Sequence, residues 1–417
     1  MANSADMDRL LQGKEVWNSW ASAEISSGRT PKVDFSEIDL GQLSFKELVF
    51  PGSAYFVGTT FSANISFVRA TFRAFAHFER AVFVGKASFI EATFMETAEF
   101  ENAIFRDEAE FGSVSVNSLS FFAGASFEGD TSFRSAHFRD PVDFGNANFR
   151  NQAKFDRSKF DTHVAFLNTT FAGPVTFCSA DISSAKFVGT KFEAPVDFSD
   201  SRFGHVPDFR ITSLKVPPNF HGIAIEFATD TDHRGFLQRV LRRALQREDS
   251  ASFRRLRQLA GEVKDHEREL MFFAQEMRAK RFYETTGFWP ISLNAAYDWL
   301  SDYGRSIVRP LMWLAASTIF AWGIIAATIP SQGALTPMKL IAALVLAFSN
   351  ATLLIGSDKW ALREEAFTIL CGLCKPSGPH FGLLGDLLAY AQSGFSLLLI
   401  LLIGLALRNR FRIGGGG

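Results

Sequence analysis

A short polar run inside an otherwise apolar stretch is the clearest place for chemistry in this sequence. The stretch covers residues 340–356, and its polar side chains are Ser349, Asn350 and Thr352. In hydrocarbon these groups need partners, which are pore water, a neighbouring subunit or the chain's own backbone. The first alternative predicts an aqueous path lined by the run. In the other two, Ser349 and Thr352 bond back within their helix and Asn350 joins subunits.

Two further groups of residues have types and spacing that suit a site. Gln392, Ser393 and Ser396 lie close together on a later apolar stretch and are candidates to line the wider part of the same path. Cys371, Cys374 and His380 have a spacing that can hold a metal ion or close a small disulfide. The pattern is weak alone and favours two unlinked cysteines, so we predict no metal site and no cofactor.

The sequence carries no enzyme signature. A glycine-rich phosphate loop after a strand, a His-Glu-x-x-His pair and a nucleophile elbow are all missing, and the 8 histidines are scattered. The net charge of −1 predicts no general attraction to nucleic acid. We therefore expect neither an enzyme nor a nucleic-acid partner.

The elements that would position the polar run are membrane segments. Residues 288–304 carry two tryptophans and two tyrosines and predict an interfacial helix, with Arg305 and Arg309 after it. Residues 310–329 are free of charge and predict a first membrane-spanning helix, since 1.5 Å per residue gives about 30 Å. Residues 385–407 predict a second membrane-spanning helix, and Arg408, Arg410 and Arg412 follow it.

The charges on either side of these spans predict the topology. Within the segment at residues 338–357, the apolar stretch covers only residues 340–356 and is short for a span. If it crossed, Arg408, Arg410 and Arg412 would lie on the far side, against the positive-inside tendency. We predict that it dips in and returns, which places both termini in the cytoplasm and residues 331–381 outside. A re-entrant backbone needs protein or a water-filled cavity around it, so we expect a homo-oligomer.

The order helix, re-entrant segment, helix over residues 303–413 resembles the two-transmembrane ion-channel pore domain. Potassium channels of that family carry a Thr-Val-Gly-Tyr-Gly filter whose carbonyls coordinate the ion. Residues 349–358 here read Ser-Asn-Ala-Thr-Leu-Leu-Ile-Gly-Ser-Asp, without the tandem glycine-tyrosine-glycine. The resemblance implies a tetramer and adds Gly356, Ser357 and Asp358 to the selectivity candidates.

A ladder of phenylalanines from Phe50 to Phe209 organises the first half of the chain. The gaps alternate between five and six residues, and only Val116 and Ile182 replace a rung. Small residues stand two positions before most rungs. Neither a helix nor a flat strand explains this period, but a coil that turns a corner about every five residues does. One coil then takes 22 residues, and the five-residue gap from Ile182 to Phe187 predicts one missing corner residue.

The ladder resembles the phenylalanine-rich branch of the bacterial pentapeptide-repeat family. The resemblance covers residues 34–220 and implies a right-handed, four-sided β-solenoid over residues 31–227. About eight coils at ~4.8 Å each would make a rod of roughly 40 Å. Members of this family are fused to channel-like membrane modules in bacteria, which implies the bacterial inner membrane as the location.

Helical patterns flank the ladder on both sides. Residues 1–30 predict an N-terminal capping helix that lays Trp17 and Trp20 over the first coil. Residues 228–285 predict a cytoplasmic helical linker, and residues 286–413 the membrane domain. The linker is rich in arginine, including Arg254, Arg257 and Arg281, which we interpret as a solvated helix face in preference to a lipid-headgroup patch. His77 and His137 are predicted to be plain surface residues, and the glycines at 414–417 are typical of an added linker.

Two functions are compatible with this organisation. The leading hypothesis is an oligomeric ion channel or channel-like pore, assembled or gated by its cytoplasmic solenoid. The alternative is a membrane-anchored scaffold whose solenoid binds a cytoplasmic protein partner. In both, membrane lipid surrounds the apolar helices.

Overall fold

The computed structural model describes residues 4–41, 43–226, 247–328, 336–351, 357–371 and 382–414. Only the backbone is described at residues 328, 357–362, 371, 382–386 and 412–414. The described residues form two compact units, one ending at residue 279 and one beginning at residue 280. The first unit contains the ladder with helices at both of its ends, and the second contains helices only.

The ladder folds as a β-solenoid, as predicted, and makes about nine turns between residues 33 and 225 where about eight were expected. Most strands are two residues long, because the chain turns a corner between successive rungs, and all of them pair in parallel with the coils before and after. Four ladders of strands make the four sides. The handedness of the coil stays a prediction.

The strands of each side share one position in the coil. The first ladder is Val33–Asp34, Ala54–Tyr55, Ala76–His77, Ala98–Glu99, Ser120–Phe121 and Val142–Asp143. The second is Val49–Phe50, Thr71–Phe72, Thr93–Phe94, Ser115–Val116, His137–Phe138, Arg202–Phe203 and Ala224–Ile225. Two longer strands run through both, Lys159–Ala165 and Asp181–Lys186. The third is Thr60–Phe61, Val82–Phe83, Ile104–Phe105, Ser126–Phe127, Asn148–Phe149, Thr170–Phe171, Lys191–Phe192 and Ser213–Leu214. The fourth is Ile65–Ser66, Ala87–Ser88, Ala109–Glu110, Thr131–Ser132, Ala153–Lys154, Val175–Thr176 and Val196–Asp197.

The core is a set of stacked phenylalanine rings. Phe72 lies between Phe50 and Phe94, with ring centroids 4.6 and 4.7 Å away and nearly parallel planes. Rings from different sides meet edge to face, as Phe67 and Phe78 do at 5.4 Å. Val116 and Ile182 are as buried as the phenylalanines they replace. Each buried ring removes a large apolar area from water, so the repeat itself supplies the continuous core.

The corners follow a backbone rule that the sequence also carries. Two residues after every second rung the backbone adopts a positive φ, as at Asn102 (φ 57), Gly124 (φ 70) and Asn146 (φ 57). This conformation closes the shorter, five-residue gap. Glycine adopts it without strain, and asparagine tolerates it better than most residues do.

The predicted missing corner residue is confirmed. Phe160 pairs with Ile182, a separation of 22 residues, but Val164 pairs with Ala185, a separation of 21. The strand Asp181–Lys186 passes straight through the shortened corner. The ladder therefore keeps its stacking with one residue fewer at this corner, and no rung is displaced.

Two short helices close the N-terminal end of the solenoid, α1 (Ser4–Leu11) and α2 (Lys14–Ser26). Trp17 is fully buried, with its ring centroid 6.2 Å from that of Phe35 and 5.6 Å from that of Phe50. Its indole Nε1 donates to the Val49 carbonyl at 2.9 Å. Trp20 is half-buried and packs edge-on against Trp17.

Two helices follow at the other end, α3 (Asp249–Glu262) and α4 (His266–Lys280), and α4 covers the last coil. The Phe272 ring meets the last rung, Phe220, edge to face at 5.8 Å, and the Arg268 Nε donates to the Phe220 carbonyl at 3.1 Å. The predicted linker of residues 228–285 is thus divided, because α3 and most of α4 group with the solenoid.

The second unit contains five helices among the described residues: α5 (Phe288–Ser301), α6 (Val308–Thr328), α7 (Pro337–Ala351), α8 (Ser357–Cys371) and α9 (Gly382–Gly414). Within α6 and α9, Val308–Ala327 and Leu387–Phe411 are long and apolar enough to cross a membrane. Only 6% of the first segment and 11% of the second is buried within the chain. Both helices therefore present apolar surface that needs lipid or protein around it. The predicted re-entrant segment is helical from Pro337 to Ala351, and its path relative to a bilayer stays a prediction.

Two apolar clusters hold these helices together. In one, Ala343 and Leu346 of α7 and Leu370 of α8 pack with Trp322 of α6, whose Nε1 donates to the Leu340 carbonyl at 3.0 Å. In the other, α5, α6 and α9 meet around buried Leu399. Helices α7 and α8 therefore form a pair that rests on the C-terminal half of α6.

Candidate functional site

The predicted polar residues converge on a seam between α7 and α9. Gln392 of α9 donates its Nε2 to the Ala347 carbonyl of α7 at 2.9 Å. Ser396 follows Gln392 by four residues and Asn350 follows Ala347 by three, so each lies on the same helix face as its predecessor. We call Ser349, Asn350, Gln392 and Ser396 the polar seam.

Three of the four residues of the polar seam are buried within the chain, and Gln392 is half-buried. Ser349, Asn350 and Ser396 are only 4%, 6% and 1% exposed. The Ser349 hydroxyl donates to the Leu346 carbonyl at 2.8 Å, which is the bonding within the helix that the sequence left open. Neither the Asn350 Oδ1 nor the Ser396 Oγ has a hydrogen-bond partner among the described residues. An aqueous path along the polar seam would require these two helices to separate.

The other predicted site residues are placed only in part. Ser393 is half-buried on α9. Ser357 and Asp358 begin α8 and Cys371 ends it, with only the backbone described at each. Thr352, Gly356, Cys374 and His380 lie outside the described residues. The selectivity and metal-ligand roles of all these residues stay predictions.

A buried arginine at the start of the second unit was missed by the sequence analysis. Arg281 is fully buried; its Nε donates to the Asn294 Oδ1 at 2.9 Å, and its guanidinium pairs with Asp298 at 3.1 Å. The Tyr303 hydroxyl lies 2.8 Å from the same guanidinium. For Arg281 the predicted position on a solvated or lipid-facing surface is therefore wrong. A buried charge needs partners, and α5 supplies them. Arg254 and Arg257 both pair with buried Glu276, at 3.0 and 3.1 Å.

An open apolar groove lies among α5, α6 and α9. Its volume is about 560 Å³, and aromatic side chains form much of its lining, Trp299, Trp313, Phe320 and Phe395. Contact of such an apolar, aromatic surface with acyl chains is favourable, whereas its exposure to water costs free energy. The groove thus belongs to the part of the chain that requires lipid or another protein.

A second cluster missed by the sequence analysis lies on the outside of the solenoid. The His77 Nδ1 is 2.6 Å from the Glu99 Oε2 and 3.3 Å from the Glu79 Oε1. Burial, and then the facing Glu79 carboxyl, raise the pKa of Glu99. The signal was available in the sequence, because His77 and Glu99 are one 22-residue coil apart and so stand side by side on the first ladder.

Comparison with known families agrees with the geometry of the first unit. Residues 45–93, 67–115 and 133–181 match the family model described as Pentapeptide repeats (9 copies). The solenoid is built of pentapeptide repeats. In most repeats a central phenylalanine points inward and the residue before it is more exposed, as the ladder spacing predicted. Comparison with curated proteins and with solved structures finds no match to the chain.

The pentapeptide repeats account for the shape and stability of the first unit and leave its role open, since a fold of this kind is a scaffold for sites. The matched residues all lie within the solenoid, so the second unit is characterised by its own geometry alone. What distinguishes the surface of the repeats is the outward side of the first ladder. There Tyr55, His77, Glu99, Phe121 and Asp143 follow one another, and we call this the acidic face.

Proposed function

We propose that this protein is a membrane-anchored interaction scaffold, in which α6 and α9 hold the chain in the bilayer and the pentapeptide-repeat solenoid binds a protein partner. The observation that carries the proposal is the closure of the solenoid at both ends by the chain's own helices. Trp17 covers the first coil and Phe272 the last. End-to-end stacking through open strand edges is therefore blocked, and the lateral sides are left for binding.

The acidic face is the side best suited to a partner. It combines carboxylates with aromatic rings, and exposed Phe75 (45%) and Leu119 (37%) lie at its border. Aromatic and apolar groups ringed by charge are typical of protein interfaces. Burial, with the nearby carboxyls of Glu79 and Asp143, raises the pKa of Glu101 on the same side. The expected partner surface is accordingly basic, with apolar side chains that contact Phe75 and Leu119.

Site-specific photocrosslinking in cells tests this proposal. A photoreactive residue at Phe75 is expected to yield a discrete adduct with a partner protein. The same residue at Lys154, on the opposite side of the solenoid, is the matched control and should yield none. Charge reversal at Asp143 should reduce the Phe75 adduct, because it weakens attraction to a basic surface. Equal adducts from both positions, or none from either, would overturn the proposal.

A pore is the second candidate function, and the polar seam is the observation that favours it. Buried Asn350 and Ser396 atoms without a described partner are uncommon in a membrane helix unless they serve assembly or conduction. In this function α7 and α9 would separate during opening and bring the polar seam to water. The burial of the seam within one protomer is the reason we rank the scaffold first.

Recording in planar bilayers separates the two functions. The scaffold predicts no current above that of protein-free bilayers at any voltage. The pore predicts a current that Ser396→Leu and Asn350→Ala alter while the oligomer survives detergent extraction. Leu397→Ala, on the exposed side of the same helix, is the control that should leave such a current unchanged. A reproducible current with this pattern would replace the scaffold as the leading function.

A further inference from the structure

The solenoid carries a cluster of metal-ligating side chains that its fold does not require. His77, Glu79 and Glu99 stand on neighbouring coils, and one nitrogen and two carboxylate oxygens lie within 4.8 Å of one another. The three side chains are 18%, 26% and 22% exposed, so the cluster is sheltered but reachable from solvent. Nothing in the stacking of the phenylalanine core depends on these outward groups.

The charge of the cluster is unbalanced. No lysine or arginine among the described residues forms an ion pair with Glu79 or Glu99, and His77 is the partner they share. The Glu79 Oε2 is buried and has no hydrogen-bond partner in the same part of the chain. Elsewhere on the solenoid a carboxylate forms an ion pair with a lysine, as Glu110 does with Lys86 at 2.9 Å. A sheltered pair of carboxylates with one imidazole leaves negative charge that a cation would neutralise.

The imidazole is held in a fixed orientation. Its ring stacks on the Tyr55 ring of the preceding coil, with centroids 4.5 Å apart and planes 11° apart. This contact directs the Nδ1 toward both carboxylates and limits rotation of the ring. A fixed imidazole beside two carboxylates is a preorganised donor set.

We propose that His77, Glu79 and Glu99 form a binding site for a divalent first-row transition ion such as Zn²⁺. Tetrahedral zinc with bonds of about 2.0–2.2 Å places its ligand atoms roughly 3.3 Å apart. The distance from the His77 Nδ1 to the Glu79 Oε1 already has this value, and the distance to the Glu99 Oε2 would lengthen by less than about 1 Å when an ion binds. Imidazole nitrogen selects such ions over Mg²⁺ and Ca²⁺, which prefer oxygen ligands only.

Three protein ligands leave one coordination position for water or for a donor group of another molecule. The site lies on the acidic face, but it stands independently of the proposed scaffold function, since metal binding is measured without any partner. The competing interpretation is that His77 only hydrogen-bonds to the two carboxylates. That interpretation predicts no stoichiometric metal binding.

Zinc titration against a chromogenic chelator tests the site in the full-length, tag-free protein in detergent. The background carries Cys371→Ser, Cys374→Ser and His380→Gln, which removes the other candidate metal ligands that the sequence predicted. We expect one Zn²⁺ per chain with micromolar or tighter affinity, unaffected by millimolar Mg²⁺. His77→Gln and, separately, Glu99→Gln should weaken binding by about tenfold or more.

His137→Gln is the matched control. Its Nε2 is 2.8 Å from the Asp161 Oδ2, but that carboxylate also binds the Lys159 amine at 2.8 Å, so only one already neutralised oxygen ligand is present. This variant should bind zinc like the background protein. X-ray absorption at the zinc edge should show nitrogen and oxygen ligands with one imidazole. Absence of stoichiometric binding, or equal binding by the His77→Gln and Glu99→Gln variants and the background, would overturn the proposal.

Discussion

At the scale of single residues, direction relative to the coil decides what a side chain contributes. Phe133 is fully buried and stacks on Phe111 at 4.8 Å and on Phe155 at 5.1 Å. Arg134, its neighbour in sequence, faces out with 55% of its side chain exposed, 3.7 Å from Asp156. Neighbours in the chain therefore differ in how much they contribute to stability, because one side chain lies inside the ring stack and the other lies in water.

Phe133→Ala tests this contrast. The substitution leaves a cavity in the ring stack and should destabilise the solenoid by about 3–5 kcal/mol. Arg134→Ala is the matched control and should cost less than about 0.5 kcal/mol. Hydrogen exchange and limited proteolysis of the coils around residue 133 measure the local effect. Equal damage from the two substitutions would contradict the inward and outward assignment.

A second residue-scale effect concerns acid. Hydrogen bonds from Lys14 and then Arg69 lower the pKa of Glu47 from 4.5 to about 2. A carboxyl whose pKa is lower in the folded state stabilises that state above its unfolded pKa, so this contribution is present above pH 4.5. It is lost as the pH falls toward 2. Since Lys14 belongs to α2, the lost ion pair joins the N-terminal helices to the coils.

Glu47→Gln should therefore reduce the acid sensitivity of the first unit. Between pH 6 and pH 3 the thermal midpoint of the wild type should fall further than that of the variant, because the variant has no proton to gain at this position. Glu15→Gln replaces an exposed carboxyl on α2 and serves as the control with an unchanged acid shift. An identical pH dependence of wild type and Glu47→Gln would show that this ion pair does not stabilise the cap.

At the scale of elements, the terminal helices convert an open stack into a closed one. A repeat array exposes apolar rings and unpaired strand edges at its ends. At the N-terminal end Trp17 covers two rings, and Asn18 satisfies the backbone of the second ladder by donating to the Glu47 carbonyl and accepting from the Val49 amide, both at 2.9 Å. Helix α4 does the same at the other end through Phe272 and Arg268.

Trp17→Ala should open the N-terminal end. Loss of a fully buried indole should cost about 3–5 kcal/mol locally and raise hydrogen exchange in the first coil. Trp20→Ala, on the same helix but half-exposed, should have a clearly smaller effect. Exposed strand edges should also make the Trp17→Ala protein associate as its concentration rises, which light scattering detects. Similar exchange in the two variants would argue against α2 as a cap.

At the scale of the whole molecule, the arrangement of charge around the two apolar helices predicts the topology. Arg305 and Arg309 precede or begin α6, and Arg408, Arg410 and Arg412 lie at the end of α9. Both groups are expected in the cytoplasm, since positively charged segments are retained on that side. The prediction requires that the segment at residues 338–357 does not cross the bilayer completely.

Cysteine accessibility in intact cells measures the topology. In a background with Cys178, Cys371 and Cys374 replaced by serine, an Arg412→Cys variant should resist an impermeant thiol reagent until the cells are opened. Ser331→Cys should react in intact cells and is the matched control. Labelling of Arg412→Cys from outside would show that α7 belongs to a third crossing.

The solenoid was predictable from the sequence because its core is periodic. Each rung contacts the rungs one coil before and after it, so the 22-residue spacing alone states which residues are inside, and even the shortened corner after Ile182 was readable. The two long apolar helices were predictable for a similar reason, since length and composition are local properties. Neither the ladder spacing nor the apolar stretches indicated which helical segments pack against one another.

Only the tertiary structure decided those contacts, because they join positions that no period relates. The sequence did not show that Phe272 would cover Phe220, that Arg281 would be buried against α5, or that Gln392 would bond to α7. Amphipathic helices can satisfy their apolar faces in several ways, and the choice depends on long-range packing. His77 stands between the two cases, because the coil length placed it beside Glu99, but only the folded side chains brought Glu79 to the same point.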